Sequence, residues 1–94
     1  MTLRQQGTSK IVRTLVDSGA NGIGYINRDL ARELNLKLTP LHRTIYPTGF
    51  NGKQLKGGSI SYKTSVTLTH RHHVEKIDLY VTNTGRHDLI LGQP

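Results

Sequence analysis

Short stretches of the chain alternate between apolar and polar residues, which is the pattern of β-strands. Two stretches alternate cleanly, with predicted inward residues Ile60, Tyr62, Thr64, Val66 and Leu68 in the first and Ile77, Leu79 and Val81 in the second. A third stretch, "DLILG", is apolar and ends at Gly92. With turn-forming residues between such stretches, the pattern predicts about six strands in a compact β-barrel or sandwich-like fold.

The first seventeen residues predict a strand, a turn at Gly7 and a second strand that continues to Val16. This second strand ends at Asp17-Ser18-Gly19, three residues that favour turns. Because Leu15 and Val16 are apolar β-formers, we expect the strand before Asp17 to be buried.

One helix is predicted over residues 27–36, "NRDLARELNL". Asn27 is a good N-cap residue, Asp29 lies in the first turn near the positive end of the helix dipole, and Leu30 and Leu34 are four residues apart. At barely three turns, the helix depends on packing for its stability. Further along, Asn51-Gly52 is a strong hairpin signal inside a glycine-rich stretch.

Composition and charge exclude only some classes of function. A chain of 94 residues with 34% hydrophobic content is one small domain with a marginal core, which points to association with a second molecule or to missing flanking sequence. The net charge is +7, and residues 35–74 contain no acid, which suggests an acidic or nucleic-acid partner. The cations are singly spaced and aromatic residues are few, which argues against a dedicated nucleic-acid surface. The absence of cysteine fits a reducing compartment, and no apolar stretch is long enough to cross a membrane.

Asp17 is the only acid among the first 28 residues. Asp-Ser-Gly alone is compatible with an ordinary polar turn. A catalytic interpretation gains support from the apolar residues before Asp17, from the glycine-rich hairpin about thirty residues later, and from "LILG", an apolar strand that could support the aspartate turn. Burial at the end of such a strand would raise the pKa of a carboxyl group.

In this order, "LVDSGA", a helix, a glycine-rich hairpin and "LILG" resemble the retropepsins, the retroviral-type aspartic proteases. The segments "LVDSGANGIGYINRDLARELNL" and "HDLILGQP" are most similar to the protease domain of gypsy-type LTR retrotransposon polyproteins. The resemblance covers nearly the whole chain from Ile11 and implies a mainly β fold, a small closed β-barrel of the acid-protease half-type with one short helix and a flap hairpin.

The resemblance also implies a function: an aspartic endopeptidase that processes a Gag-Pol polyprotein as a homodimer, without metal or other cofactor, in the cytoplasm within a virus-like particle. Asp17 matches the catalytic aspartate, Ser18 the hydroxyl residue of its turn, and Gly19 the glycine that brings the turn near substrate. The implied substrate-binding residues are Ala20, Asn21, Gly49, Phe50, Asn51, Gly52, Lys53 and Ile90. Leu91 and Gly92 complete the apolar-apolar-glycine signature that braces the catalytic turn.

Two departures from the family pattern change the expectations. Asn21 and Gln93 form a neutral pair where many viral members carry an acid and an arginine, so a softer preference for charged substrate groups is expected. Family members also continue past the position of Pro94 into a helix and a strand that joins the dimer. We therefore expect residues 1–94 to be a single domain cut short at the C-terminus, in which dimerisation and activity are open questions.

Other functions stay open at this point. A retropepsin fold without catalysis could serve as a binding or dimerisation module, and a basic β-domain could bind nucleic acid. His70, His72 and His73 have partly ligand-like spacing, but Arg71 interrupts them in a predicted turn, and we assign no metal site there. Asp88 is followed by Leu89 rather than a glycine turn, so we expect it to support a turn and not to act as a second catalytic acid.

Overall fold

The computed structural model describes residues 1–17, 24–45 and 59–92. Within them the chain forms eight strands and one helix: β1 (Thr2–Gln5), β2 (Thr8–Ile11), β3 (Thr14–Asp17), β4 (Gly24–Asn27), α1 (Arg28–Glu33), β5 (Thr39–Ile45), β6 (Ile60–His70), β7 (His73–Thr82) and β8 (Leu89–Gly92). The mainly β architecture with one short helix confirms the predicted fold class. In these ranges no helix is long and apolar enough to cross a membrane.

All eight strands belong to one sheet that curls into a half-barrel. Its order is β2-β1-β6-β7-β4-β8-β3, and β5 pairs with β6 outside this path. The pairs β4–β7 and β3–β8 are parallel, whereas the other ladders are antiparallel. The hairpin predicted around Asn51-Gly52 lies between β5 and β6, outside the described residues.

The main core lies inside the curl of the sheet. Leu3, Leu79 and Leu89 are fully buried there, and helix α1 contributes Leu30 and Ala31. The predicted alternation in β6 is confirmed for Ile60, Thr64, Val66 and Leu68, which are buried, while Tyr62 is 46% exposed. In β7, Leu79 and Val81 are buried as expected and Ile77 packs against the core. The apolar alternation therefore identified the inward face of the two longest strands.

Helix α1 begins where the sequence predicts. The Asn27 side chain accepts hydrogen bonds from the backbone N–H of Asp29 and Leu30, at 2.9 and 3.3 Å. It ends earlier than expected, at Glu33 instead of Leu36. Asn35 takes a left-handed conformation (φ 52°) and its N–H donates to the Arg32 carbonyl, which closes the last turn.

The prediction of one long strand up to Val16 is wrong, because the chain changes partner on the way. β2 ends at Ile11 and β3 begins at Thr14. Between them, the Val12 N–H donates to the Met1 carbonyl, and the Arg13 carbonyl accepts from the N–H of Leu89. The strand thus leaves β1 and joins β8. This break and the unpredicted strand β4 explain why eight strands are present where about six were expected.

Candidate functional site

The two motifs that carried the resemblance lie side by side. Strands β3 and β8 pair in parallel, in the register Thr14↔Leu89, Leu15↔Ile90, Val16↔Leu91 and Asp17↔Gly92. The backbone of Asp17, the last residue of β3, is therefore level with the glycine that ends "LILG". This confirms the expectation that the apolar strand runs beside the aspartate. A glycine at this position leaves room for close backbone approach.

Strand β8 lies between β3, which ends at Asp17, and β4. On its other side it pairs antiparallel with β4, which places Gly24 opposite Leu91. A Cβ added at Gly24 would lie 2.5 Å from Cδ2 of Leu79, so only glycine fits here without displacing a side chain. Side chains of β7 and β8 therefore pack directly against the backbone of β4 at Gly24.

An apolar row crosses the sheet next to the site. Successive pairings align Leu15, Ile90, Tyr25 and Tyr80. Ile90, predicted as a substrate contact, is 1% exposed and packs in a second cluster with Tyr25 and Ile60. Burial raises the pKa of Tyr25, and the neighbouring Tyr80, with its ring 6.1 Å away between centroids, raises it further. The structure places Ile90 as a supporting residue, and its contact with substrate stays a prediction.

The two tyrosines of this row were not among the predicted site residues. Tyr80 alternates with Ile77, Leu79 and Val81, so the pattern alone would have put it on the opposite face of β7. That Tyr25 pairs with both Tyr80 and Ile90 depends on strand order, which the pattern does not contain.

Strand β3 is more exposed than expected. Leu15 is 36% exposed and Val16 is 53% exposed in the single chain. The prediction of a buried strand before Asp17 is therefore wrong for one molecule, because β3 is the last strand of the sheet path and pairs only with β8 among the described strands.

Asp88 anchors the beginning of β3. Its carboxylate Oδ2 accepts a hydrogen bond from the Arg13 N–H at 2.8 Å, and its own N–H donates to the Arg13 carbonyl at 3.2 Å. The Asp88 carbonyl also accepts from the N–H of Asn27, the N-cap residue of α1, at 2.9 Å. These bonds hold the backbone between β2 and β3, whereas the sequence predicted that Asp88 would support a turn.

Several predicted site residues lie outside the described residues, namely residues 18–21, predicted to form the aspartate turn, and residues 49–53, predicted to form the hairpin. Their roles stay predictions. The three histidines of "HRHH" occupy the β6–β7 hairpin, where His70 pairs with His73 and all three side chains are exposed. The described part of the chain contains no group of three or more side chains placed to bind a metal ion.

The domain is a curled β-sheet with one short helix, and its strand ending in aspartate pairs with an apolar strand ending in glycine. These features define a retropepsin-like protease domain. The family model described as PEG10/RTL1 protease domain matches residues 13–94. The chain belongs to this family, whose domain is retropepsin-like and derived from a gypsy retrotransposon. The match begins at Arg13, the residue that Asp88 anchors. No curated protein and no solved structure gave a match.

Proposed function

We propose that the chain is an aspartic endopeptidase that acts as a homodimer, with one Asp17 from each molecule at the catalytic centre. The observation that carries this proposal is the register Asp17↔Gly92 within a domain of a retropepsin-like protease family. One chain contributes a single Asp-Ser-Gly motif, so two copies are needed to supply two catalytic carboxyl groups.

The chemistry follows from two carboxyl groups at short distance. As in established aspartic-protease dyads, two carboxylates about 3 Å apart cannot both ionise readily, so the pair keeps one proton. The ionised Asp17 removes a proton from a water molecule, which attacks the peptide carbonyl. The protonated Asp17 donates a hydrogen bond to that carbonyl oxygen and stabilises the negative charge that develops there. In this scheme Ser18 and Gly19 shape the turn.

The exposed edge of the sheet supports the homodimer. Leu15 and Val16 leave apolar surface on the strand that ends at Asp17, so a second copy that covers this edge would bury it and bring the two aspartates together. Retropepsin-like domains typically act as dimers. The edge strand thus links association of two copies to formation of the catalytic centre.

The proposed substrate is an extended peptide segment of a Gag-Pol type polyprotein. It would bind between the predicted aspartate turns and the hairpins predicted around residues 49–53, with backbone hydrogen bonds of the kind made when a strand adds to a sheet edge. Ala20, Asn21 and Phe50 are the proposed side-chain contacts near the cleaved bond.

Replacing Asp17 by Asn tests the catalytic assignment. We expect cleavage of an apolar peptide library to be lost, with the far-UV circular dichroism spectrum unchanged, because the amide cannot ionise to activate water. Asp78→Asn removes an acid far along the sheet and is the matched control. The wild-type rate should follow a bell-shaped pH profile on the acid side of neutrality. Cleavage by Asp17→Asn at the wild-type rate would refute the proposal.

Replacing Val16 by Lys tests the dimer. A charge on the exposed edge should weaken association and lower activity in proportion, without unfolding the chain, whereas Ser9→Lys on the opposite edge strand β2 should do neither. Sedimentation over a concentration series measures the association. A monomer with full activity would contradict the homodimeric mechanism, and a dimer without cleavage at any pH would favour a binding module that keeps only the fold.

A nucleic-acid function rests on one local feature. Arg4, Lys37 and Lys76 line a polar groove on the sheet, and the register places Arg4 and Lys76 on either side of Thr67. Binding of single strands that weakens steeply with salt would support this function, and absence of binding at low salt would remove it.

A further inference from the structure

The register of β3 against β8 is weakly specified by the side chains of β3 itself. A strand is held in register chiefly where a shift would move buried apolar residues to solvent. Leu15 and Val16 are exposed in the single chain, and β3 pairs with one described strand only. Another contact must therefore fix which residue of β3 lies opposite Gly92.

The backbone between β2 and β3 provides such a contact through Asp88. Arg13 and Asp88 exchange two hydrogen bonds, one to the carboxylate at 2.8 Å and one between backbone groups at 3.2 Å. The Leu89 N–H also donates to the Arg13 carbonyl, at 3.1 Å. A carboxylate that accepts from a backbone N–H forms a stronger bond than a neutral acceptor does.

Asp88 is itself fixed to the rest of the domain. Its carbonyl accepts from the Asn27 N–H at 2.9 Å, at the end of β4 where α1 begins. The preceding turn is closed by Thr84, whose buried hydroxyl donates to the His87 carbonyl. Asp88 therefore connects β3, at the end of the sheet path, to β4, α1 and the β7–β8 turn.

We propose that Asp88 is a positioning residue that sets the register of β3 against β8 and so keeps Asp17 level with Gly92. The proposal rests on the proposed function only in what it implies for catalysis. Because a strand rises about 3.3 Å per residue, a slip of two residues would displace Asp17 by about 7 Å along the strand. Such a displacement would separate the two aspartates of a dimer from the shared water.

The direct test measures register by solution NMR on the whole chain. In Asp88→Ala we expect the nuclear Overhauser contacts between β3 and β8 to weaken or shift, and exchange of the Arg13 amide to rise at least tenfold relative to the β6–β7 amides. Asp88→Asn keeps a neutral acceptor, so its Arg13 amide should exchange about fivefold faster with the β3–β8 contacts unchanged. Glu75→Ala removes an exposed acid of the β6–β7 hairpin and should change neither measurement.

The second test measures peptide cleavage by the same variants. A slipped register affects the position of Asp17 more than substrate binding, so Asp88→Ala should lower kcat at least tenfold with KM within about threefold of wild type. Asp88→Asn should restore kcat to within about threefold. A purely structural loss of folded protein would instead lower the active fraction in proportion to the circular dichroism signal.

The outcomes separate the two proposals. Native β3–β8 contacts and wild-type Arg13 exchange in Asp88→Ala would overturn the positioning role, whatever the activity. If wild type cleaves no peptide, the proposed function fails while the NMR comparison still decides the role of Asp88. If Asp88→Ala does not fold, Asp88→Asn decides, and an Arg13 amide that exchanges at the wild-type rate in that variant would overturn the proposal.

Discussion

Gly24→Ala tests the packing beneath the strand that ends at Gly92. Gly24 pairs with Leu91 of β8, and an added Cβ would lie 2.5 Å from Cδ2 of Leu79 and 3.3 Å from Cδ2 of Leu91. Ordinary carbon contacts are about 3.5–4.0 Å long, so Cδ2 of Leu79 must move by about 1 Å. Leu79 is fully buried, which leaves its side chain little freedom to do so.

The expected loss of stability combines two opposing effects. Overpacking a core by one methyl group costs about 1–3 kcal/mol. Alanine recovers about 0.5–1 kcal/mol because glycine loses more backbone freedom on folding. The two ranges leave a net loss of about 0–2.5 kcal/mol. Because Leu79 is fully buried and has to move, we expect Gly24→Ala to lower the free energy of unfolding by about 1–2 kcal/mol, within that range. In a domain of this size that lowers Tm by roughly 5–15 °C.

A double-mutant cycle with Leu79→Ala identifies the cause. Leu79→Ala alone should cost about 2–5 kcal/mol through the cavity that it leaves. In the double variant, the new methyl group at position 24 enters space that the leucine has vacated, so the combined loss should be about 1–2 kcal/mol smaller than the sum. Urea unfolding followed by far-UV circular dichroism, at one protein concentration, measures all four proteins.

Gly85→Ala is the matched control. Nothing lies within 4 Å of an added Cβ there, and φ is +68°, so its cost comes from backbone strain alone. That cost should add to the effect of Leu79→Ala without coupling. Independent sites are expected to add within about 0.3–0.5 kcal/mol. If the stability losses of Gly24→Ala and Leu79→Ala add within that margin, the close contact does not determine the stability loss of Gly24→Ala.

Two further predictions concern the helix cap and a surface carboxylate. Asn27→Ala should lower the free energy of unfolding by about 1 kcal/mol, because two N–H groups of α1 lose their acceptor. Asn27→Asp should retain most of the wild-type stability in the same urea assay. The pKa of Asp78 lies below its ordinary value of 3.8, because the Ser65 hydroxyl donates to it and Lys63 is close. The ionised Asp78 carboxylate stabilises the fold above pH 3.8, and this stabilisation is lost as pH falls through the lowered pKa. Ser65→Ala should raise the pKa of Asp78 in an NMR titration of the carboxyl carbon, and an unchanged pKa would refute this assignment.

Local sequence determined the features that depend on neighbouring residues. Asn27 fixes the start of the helix through bonds to residues two and three positions later. Alternation in β6 and β7 marks the buried face, because burial on one side of a sheet has a period of two residues. The order of the Asp-Ser-Gly and Leu-Ile-Leu-Gly motifs was enough to identify the protease family, which the match over residues 13–94 confirms.

Tertiary structure decided what depends on distant residues. The strand before Asp17 breaks at Val12 and Arg13 because Met1 and Asp88 supply their hydrogen-bond partners, and Asp88 is 75 positions away from Arg13. Strand order, which no local pattern encodes, leaves β3 at an exposed edge and aligns Ile90 with two tyrosines. The sequence thus identified the two motifs, whereas long-range backbone pairing placed Asp17 beside Gly92. The reason is that hydrogen bonds between strands depend on position in the folded sheet and not on distance along the chain.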